Sequence, residues 1–358
     1  MPSLKEIKGR INSISSTLAI TSAMKMVASA KLQKAQMAIQ NMLPYERRLY
    51  SMLLDLMGAM NISAAASEDG SVRGSGSAER GFDQSGDRLS LSNRHDLAGM
   101  DGAYSLMAQR EVRKVAIVAF ASNSSLCGAF NSNVIREATA VINEYRALGL
   151  GDADITVYSV GRKMAEAMRK LGFPSPADFT RMSDSPSYEA ASALAQELLD
   201  GFVSGRFDKV ELVYNHYKST SSQPTTRQTY LPLSLADATA DLQAGKITDS
   251  ASETDTNRVA EPVGAPVVRQ GSPTTEDLIV EPSKEALIAT LLPKVVRLRI
   301  FTTLLDSAAA EHAARTVAMQ LATDNGNDLL QELTLEYNKG RQQKITSEIL
   351  DLVGGSMQ

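Results

Sequence analysis

The chain has 358 residues, a formal net charge of −4, 43% hydrophobic residues, 5% aromatics and no Trp. So small a net charge excludes a chain whose whole surface is built for nucleic acid. The single cysteine, Cys127, excludes an internal disulfide and fits a reducing compartment. No apolar run approaches the roughly 18 residues needed to span a bilayer, and MPSLKEIKGRINS has none of the apolar core of a signal peptide.

Leu4, Ile7, Ile11, Ile14 and Leu18 recur at alternating steps of three and four, a heptad seam within a helix predicted over about 3–41. After Leu18 the stripe reads as small and soft: Ala19, Ala23, Met24, Met26, Val27, Ala28, Ala30, Ala35, Met37. Such residues suit close helix–helix packing. Lys5, Lys8, Arg10, Lys25, Lys31 and Lys34 face one acid, Glu6, in this stretch. With no aromatic interleaving they read as a solvated face rather than a nucleic-acid surface. Pro44 should end or kink the helix, and a second one over about 45–60 carries Leu49, Met52, Leu53, Leu56 and Met57 on one face. Residues 63–105, rich in Ser, Gly, Asp and Arg, read as a flexible insertion.

The character changes at Lys114. VAIVAF (115–120), ITVYSV (155–160) and KVELVYN (209–215) are short apolar runs suited to buried strands. Helical patterns fall between them: one with Val134, Ala138, Val141, Ile142 and Tyr145, then about 162–171 and 188–204. Alternation of this kind predicts a parallel sheet with right-handed crossovers. TRQTYLPL (226–233) adds an edge strand. Residues 236–275 turn polar and acidic, broken by Pro262, Pro266 and Pro273, and read as a second insertion, closed by LIVEPS (278–283). A short helix over about 284–292 should end near Pro293, where a helix of about 294–353 begins. Unbroken, that last helix would reach roughly 90 Å, too long to bury its apolar stripe in a compact core, so it must pack along another long element. Asp324-Asn325-Gly326, poor helix formers placed mid-helix, mark either a kink or a close approach to a partner.

Little here points to catalysis. The first strand is followed by ASNSSLCGAFN, with the single glycine Gly128 where a dinucleotide fingerprint needs several, and no Walker sequence occurs. Cys127 reads as a small buried thiol, because the only histidines, His95, His216 and His312, are dispersed; the same dispersal argues against a metal site.

ITSAMKMVASAKLQKAQ (20–36), LCGAFN (126–131), VYNHYKS (213–219), VEPS (280–283) and the block from Glu311 to Gly355 closely resemble the gamma subunit family of F-type ATP synthase. The resemblance covers both ends and the middle in order. It implies an α/β fold in which N- and C-terminal helices form a long antiparallel coiled coil, joined to a Rossmann-like α/β domain with a mostly parallel sheet. The implied layout is an N-terminal coiled-coil helix at 1–60, an insertion at 61–108, the α/β domain at 109–235, an acidic insertion at 236–277 and a C-terminal coiled-coil helix at 278–358. It further implies a rotor shaft with no active site, cofactor or metal of its own. The implied partners are the alpha and beta subunits of the catalytic ring, the epsilon subunit and the membrane c-ring. The expected place is the cytoplasmic face of the bacterial inner membrane, held peripherally and driven by proton or sodium flow. By the same resemblance Met24 and Lys25 face the beta subunits low on the shaft. Arg341, Gln342 and Thr346 match positions making polar contacts with a beta-subunit loop. Two departures stand out: Asn123-Ser124-Ser125 replaces a common Asp-Arg-Gly, and Gly340 replaces a common Ala. The alternative reading of the same pattern is an α/β nucleotide- or metabolite-binding enzyme whose terminal helices form a dimerisation stalk.

Overall fold

The computed structural model describes residues 3–68, 104–107, 109–233 and 283–356. The two proposed insertions lie outside these, apart from the short stretches at 63–68 and 104–105, as does VEPS except for Ser283. In chain order the elements are α1 (Leu4–Glu68), a 3-10 turn (Tyr104–Met107), β1 (Val115–Phe120), α2 (Phe130–Ala147), β2 (Ile155–Val160), α3 (Arg162–Lys170), α4 (Thr180–Asp184), α5 (Tyr188–Val203), β3 (Lys209–Asn215), β4 (Thr225–Leu231) and α6 (Lys284–Ser356).

The four strands form one sheet in the order β2-β1-β3-β4. β1 pairs in parallel with both β2 and β3, and β4 is an antiparallel edge strand on β3. β1 is buried on both faces, which is why it reads as a continuous apolar run. Its side chains alternate: Val115, Ile117 and Ala119 pack under α2 and α3, with Val134, Val141, Met164 and Met168. Ala116, Val118 and Phe120 face a larger core built from α5, the start of α6 and the far end of α1. The sheet is thus a three-layer anchor, and one of its layers is the root of the rod.

The rod is α1 against α6, antiparallel. Leu4 lies opposite Gly340, Leu18 opposite Gly326, and the Thr323 hydroxyl donates to that of Thr21 at 3.1 Å. Nearer the sheet, Arg299 Nη1 donates to Tyr50 Oη at 3.1 Å. The seam is more regular than the apolar residues suggest. On α1 the positions 4, 7, 11, 14, 18, 21, 25, 28, 32, 35, 39, 42, 46, 49, 53 and 56 are all buried or half-buried. Alternating steps of three and four are kept throughout, the pattern that wraps two helices into a left-handed supercoil. Ala19, Ala23 and Ala30, expected on the stripe, are exposed, as are Met26, Val27 and Met37. The seam runs through the expected Ala28 and Ala35 and also through Thr21 and Lys25.

Neither proline ends a helix: α1 runs through Pro44 and α6 through Pro293, so each end of the chain carries one helix rather than two, and α1 continues past residue 60 to Glu68. An interior proline costs about 3 kcal/mol. The seam around Pro44 buries Leu49, Tyr50, Leu53 and Leu56. At about 1.5–3 kcal/mol per buried side chain that outweighs the lost hydrogen bond, and Pro44 itself faces solvent. The helix starts are capped: Glu6 N donates to Ser3 Oγ, and Ala286 N donates to Ser283 Oγ.

Candidate functional surface along the shaft

Gly326 explains the Asp-Asn-Gly triplet. A β-carbon there would lie 2.6 Å from Leu18 Cδ2, so α1 approaches α6 where only glycine leaves room. The triplet marks close packing against the partner helix of the same chain, and α6 is unbroken through it.

Beyond Gly340, α6 has no companion helix among the described residues, since Gly340 lies opposite Leu4 at the start of α1. The remaining stretch to Ser356 is roughly 25 Å of single helix. Residues 341–350 are all exposed, and so are Leu352 and Val353, with Leu352 at 74%. Ile345, Ile349, Leu350 and Leu352 form apolar surface that no other described element of this chain covers. An isolated helix of this length is marginal in water and draws its stability from packing. This end of α6 is therefore built to be enclosed.

Arg341, Gln342 and Thr346 lie in this unaccompanied stretch and are exposed; the Thr346 hydroxyl donates to Gln342 O at 2.9 Å. Met24 and Lys25 are half-buried on α1, with Lys25 on a seam position. The Thr21–Thr323 pair sets Met24 near the height of Gln320, so the two groups are separated by roughly 30 Å along the rod and form no single site.

The loop after β1, where a phosphate cradle would sit, is turned inward and onto the shaft. Asn131 Oδ1 accepts from Ser122 N at 3.0 Å, and Asn131 Nδ2 donates to Ser124 O at 3.2 Å. Asn123 Oδ1 accepts from Arg162 N at 2.7 Å, and its Nδ2 donates to Thr180 O at 2.7 Å. Asn123-Ser124-Ser125 is thus an ordered turn, tied through Asn123 to the starts of α3 and α4. Arg315 of α6 donates to Ser124 Oγ at 2.7 Å, and Gly128 (φ +59°) brings the loop against Ala318. Leu126, at φ +68°, is held in the left-handed region and is 58% exposed. At the adjoining end of the sheet, where open α/β sheets place ligands, Leu304, Ser307, Ala308 and Glu311 of α6 close over Phe120, Ala121 and Val160, leaving a small crevice.

The titratable groups serve packing. Cys127 is a buried free thiol, 3.2 Å from Asn131 Nδ2. His216 Nδ1 lies 2.6 Å from Asp306 Oδ2, and this hydrogen bond raises the imidazole's pKa against the opposing effect of burial. His312 is pulled down to about 4 by burial and by the nearby Arg315 and Lys31. His95 lies outside the described residues. Glu311 is raised by burial, which its 2.8 Å pair with Arg315 opposes. Burial also works against the charge of Glu211, but Arg227 and Lys209, each at 2.7 Å, with the Tyr145 hydroxyl hold its carboxyl below the usual range. That cluster, extended by Glu144 on Arg227, pins β4 and α2 to β3. Among the described residues no group of His, Cys, Asp and Glu could hold a metal, and no helix is long and apolar enough to cross a membrane.

The comparisons with known proteins concern the whole chain. The family described as ATP synthase matches residues 3–357. The ATP synthase gamma chain of Phocaeicola vulgatus is 48% identical over 357 residues, covering 100% of both chains. That of Bacteroides thetaiotaomicron is 45% identical over 358 residues, again covering 100% of both. Among solved structures, a chain of the rotor of Euglena gracilis mitochondrial ATP synthase superposes with a TM-score of 0.50 at 18% identity, covering 96% of this chain and 98% of that one, which shows the fold alone. With a two-helix rod rooted in an α/β anchor and identity of this level over the full length, the chain belongs to the ATP synthase gamma chain family.

Proposed function

We propose that this chain is the central rotor shaft of an F-type ATP synthase, turning ion-driven rotation at the membrane into conformational change in catalytic subunits. As a member of the gamma chain family it is a non-catalytic part of that complex. The observation that carries the reading is the unaccompanied end of α6. An exposed apolar single helix, at the far end of a rod whose other end is anchored in a sheet, is the form of a shaft that turns inside a bearing. Apolar contacts have no preferred angle, so they hold the axis without locking it at one orientation.

On this reading the bearing is the ring of alpha and beta subunits. The α/β domain sits at the foot of the shaft beside the epsilon subunit and the c-ring, on the cytoplasmic face of the bacterial inner membrane. Met24 and Lys25 then meet the beta subunits low on the shaft. Arg341, Gln342 and Thr346 meet a beta-subunit loop near the tip, in polar contacts made and broken on each turn. Exposed hydrogen bonds of about 1 kcal/mol each suit such a cycle.

Co-expression with bacterial alpha and beta subunits tests this. The expected product is a complex with one copy of this chain that loses affinity when residues 341–358 are removed. A monodisperse chain that ignores alpha and beta would refute the proposal.

A further inference from the structure

The hairpin between β3 and β4 touches both helices of the rod where they leave the α/β domain. Its root is fixed: Asn215, buried, donates to Phe130 O at 3.1 Å and accepts from the Thr225 hydroxyl at 2.7 Å. Its turn is tied internally, with Ser219 and Ser222 exchanging backbone hydrogen bonds and Gln223 Nε2 donating to Ser219 O and Thr220 O. From this stiff base, two residues reach out. Tyr217 N donates to Asp306 Oδ1 at 2.9 Å, while His216 Nδ1 faces the other oxygen of the same carboxylate. Asp306 is on α6.

The Tyr217 side chain, half-buried, lies against both helices. It packs against the cluster of Leu32, Ala309 and Ala313 and against that of Cys127, Phe130 and Ala310. Its hydroxyl accepts from Gln36 Nε2 of α1 at 2.6 Å. The small alanines of α6 leave room for the ring; a larger residue there would crowd it. One side chain thus meets α1, α2 and α6 at the level where the coil emerges.

We propose that this hairpin, keyed by Tyr217 as a positioning residue, sets the torsional stiffness of the joint between the α/β domain and the shaft. The proposal rests on the rotor reading. Two helices held only along their seam resist twisting about one another less than a joint braced from the side, because the seam is a single line of contacts. A twist of the domain about the rod's axis is resisted by contacts that reach both helices from outside that line. Tyr217 and Asp306 supply such contacts, off the axis and on each helix.

The test uses the complex with alpha and beta subunits, fixed by its catalytic ring, with a bead on the α/β domain. Angular fluctuations of the bead are recorded during a long pause, and their variance measures the compliance of the joint. Tyr217→Ala should widen the variance severalfold, and Tyr217→Phe and Asp306→Asn, which keep volume, should widen it less. Stepwise ATP-driven rotation should persist in each, which a merely unfolded domain would not allow. Unchanged variance in a rotating Tyr217→Ala complex would overturn the clamp alone. If that variant does not assemble, unchanged variance in both conservative variants overturns it equally. Failure of the unmodified chain to form a rotating complex would overturn the rotor reading and the clamp with it.

Discussion

Gly326→Ala offers a sharp test of how closely the rod is packed. In an ordinary helix interior this change stabilises by about 1 kcal/mol, since glycine carries more chain entropy to lose. Here the new methyl would stand 2.6 Å from Leu18 Cδ2 and 3.2 Å from its Cγ, closer than carbon atoms approach. Leu18 sits half-buried on the seam, so it must leave its rotamer or push the helices apart. Overpacking of this kind costs about 1–3 kcal/mol, so the net effect is a loss of about 1 kcal/mol. Leu18→Ala removes the obstructing methyls. In that background Gly326→Ala should stabilise by about 1 kcal/mol, giving a coupling of about 2 kcal/mol between the two sites. Gly340 is the control: its β-carbon would lie 3.1 Å from Leu4 Cδ2, but Leu4 is the first residue of α1 and can yield. Gly340→Ala should therefore be neutral or stabilising by up to about 1 kcal/mol. Urea unfolding followed by helical circular dichroism measures all of these. If Gly326→Ala stabilised as much as Gly340→Ala, and did so regardless of residue 18, the close approach of the helices would be refuted.

His312 predicts a loss of stability in mild acid. Its pKa is lowered from 6.5 to about 4 in the fold, so between those values the unfolded chain binds a proton that the folded chain refuses. Stability should fall as pH drops through this window, by up to about 1.4 kcal/mol per pH unit from this group. His312→Gln should flatten that part of the urea-midpoint profile, and an unaltered profile would refute the assignment. Leu126 holds a left-handed backbone conformation that costs about 1 kcal/mol or more for a side chain with a β-carbon. Leu126→Gly should unfold at an equal or slightly higher urea concentration, whereas Leu126→Val, β-branched, should lose about 1 kcal/mol or more; a valine variant as stable as the native chain would contradict this. Met24→Lys should leave the midpoint of unfolding nearly unchanged while lowering ion pumping more than ATP hydrolysis in the assembled complex; equal loss of both activities would count against a shaft contact at Met24.

The sheet was legible because its central strand is apolar at every position, and the helices between strands show their period openly. The rod was half legible. Its seam is plain from Leu4 to Leu18, then passes through Thr21, Lys25 and Glu46, where polarity hides a spacing that never breaks. A search by position rather than by hydrophobicity would have followed it to Leu56. Pro44 and Pro293 misled for a related reason: the local rule is sound, but long seams on both sides outweigh one missing hydrogen bond. The apolar tip was visible as residues, while its lack of a companion depends on where α1 starts opposite it. Tyr217 stands within VYNHYKS (213–219), one of the motifs that carry the resemblance, but its contacts to the rod could not be read from that motif. Its partner Gln36 lies 181 positions away, and nothing local distinguishes that glutamine from its neighbours.

The antiparallel pairing also fixes an order of events during synthesis. Leu4 and Gly340 are seam partners, so α1 emerges from the ribosome long before the helix it needs. At about 5–20 residues per second the wait is roughly 20–70 s. Through that interval a helix with a continuous Leu and Ile stripe would be a target for other nascent chains. The seam of α1 is instead interrupted beyond Leu18 by Thr21, Lys25, Ala28, Ala35 and Glu46, set among Leu32, Ile39, Met42 and Leu49. A stripe diluted in this way offers other nascent chains a weaker hold, before its own last helix arrives, than an unbroken one would.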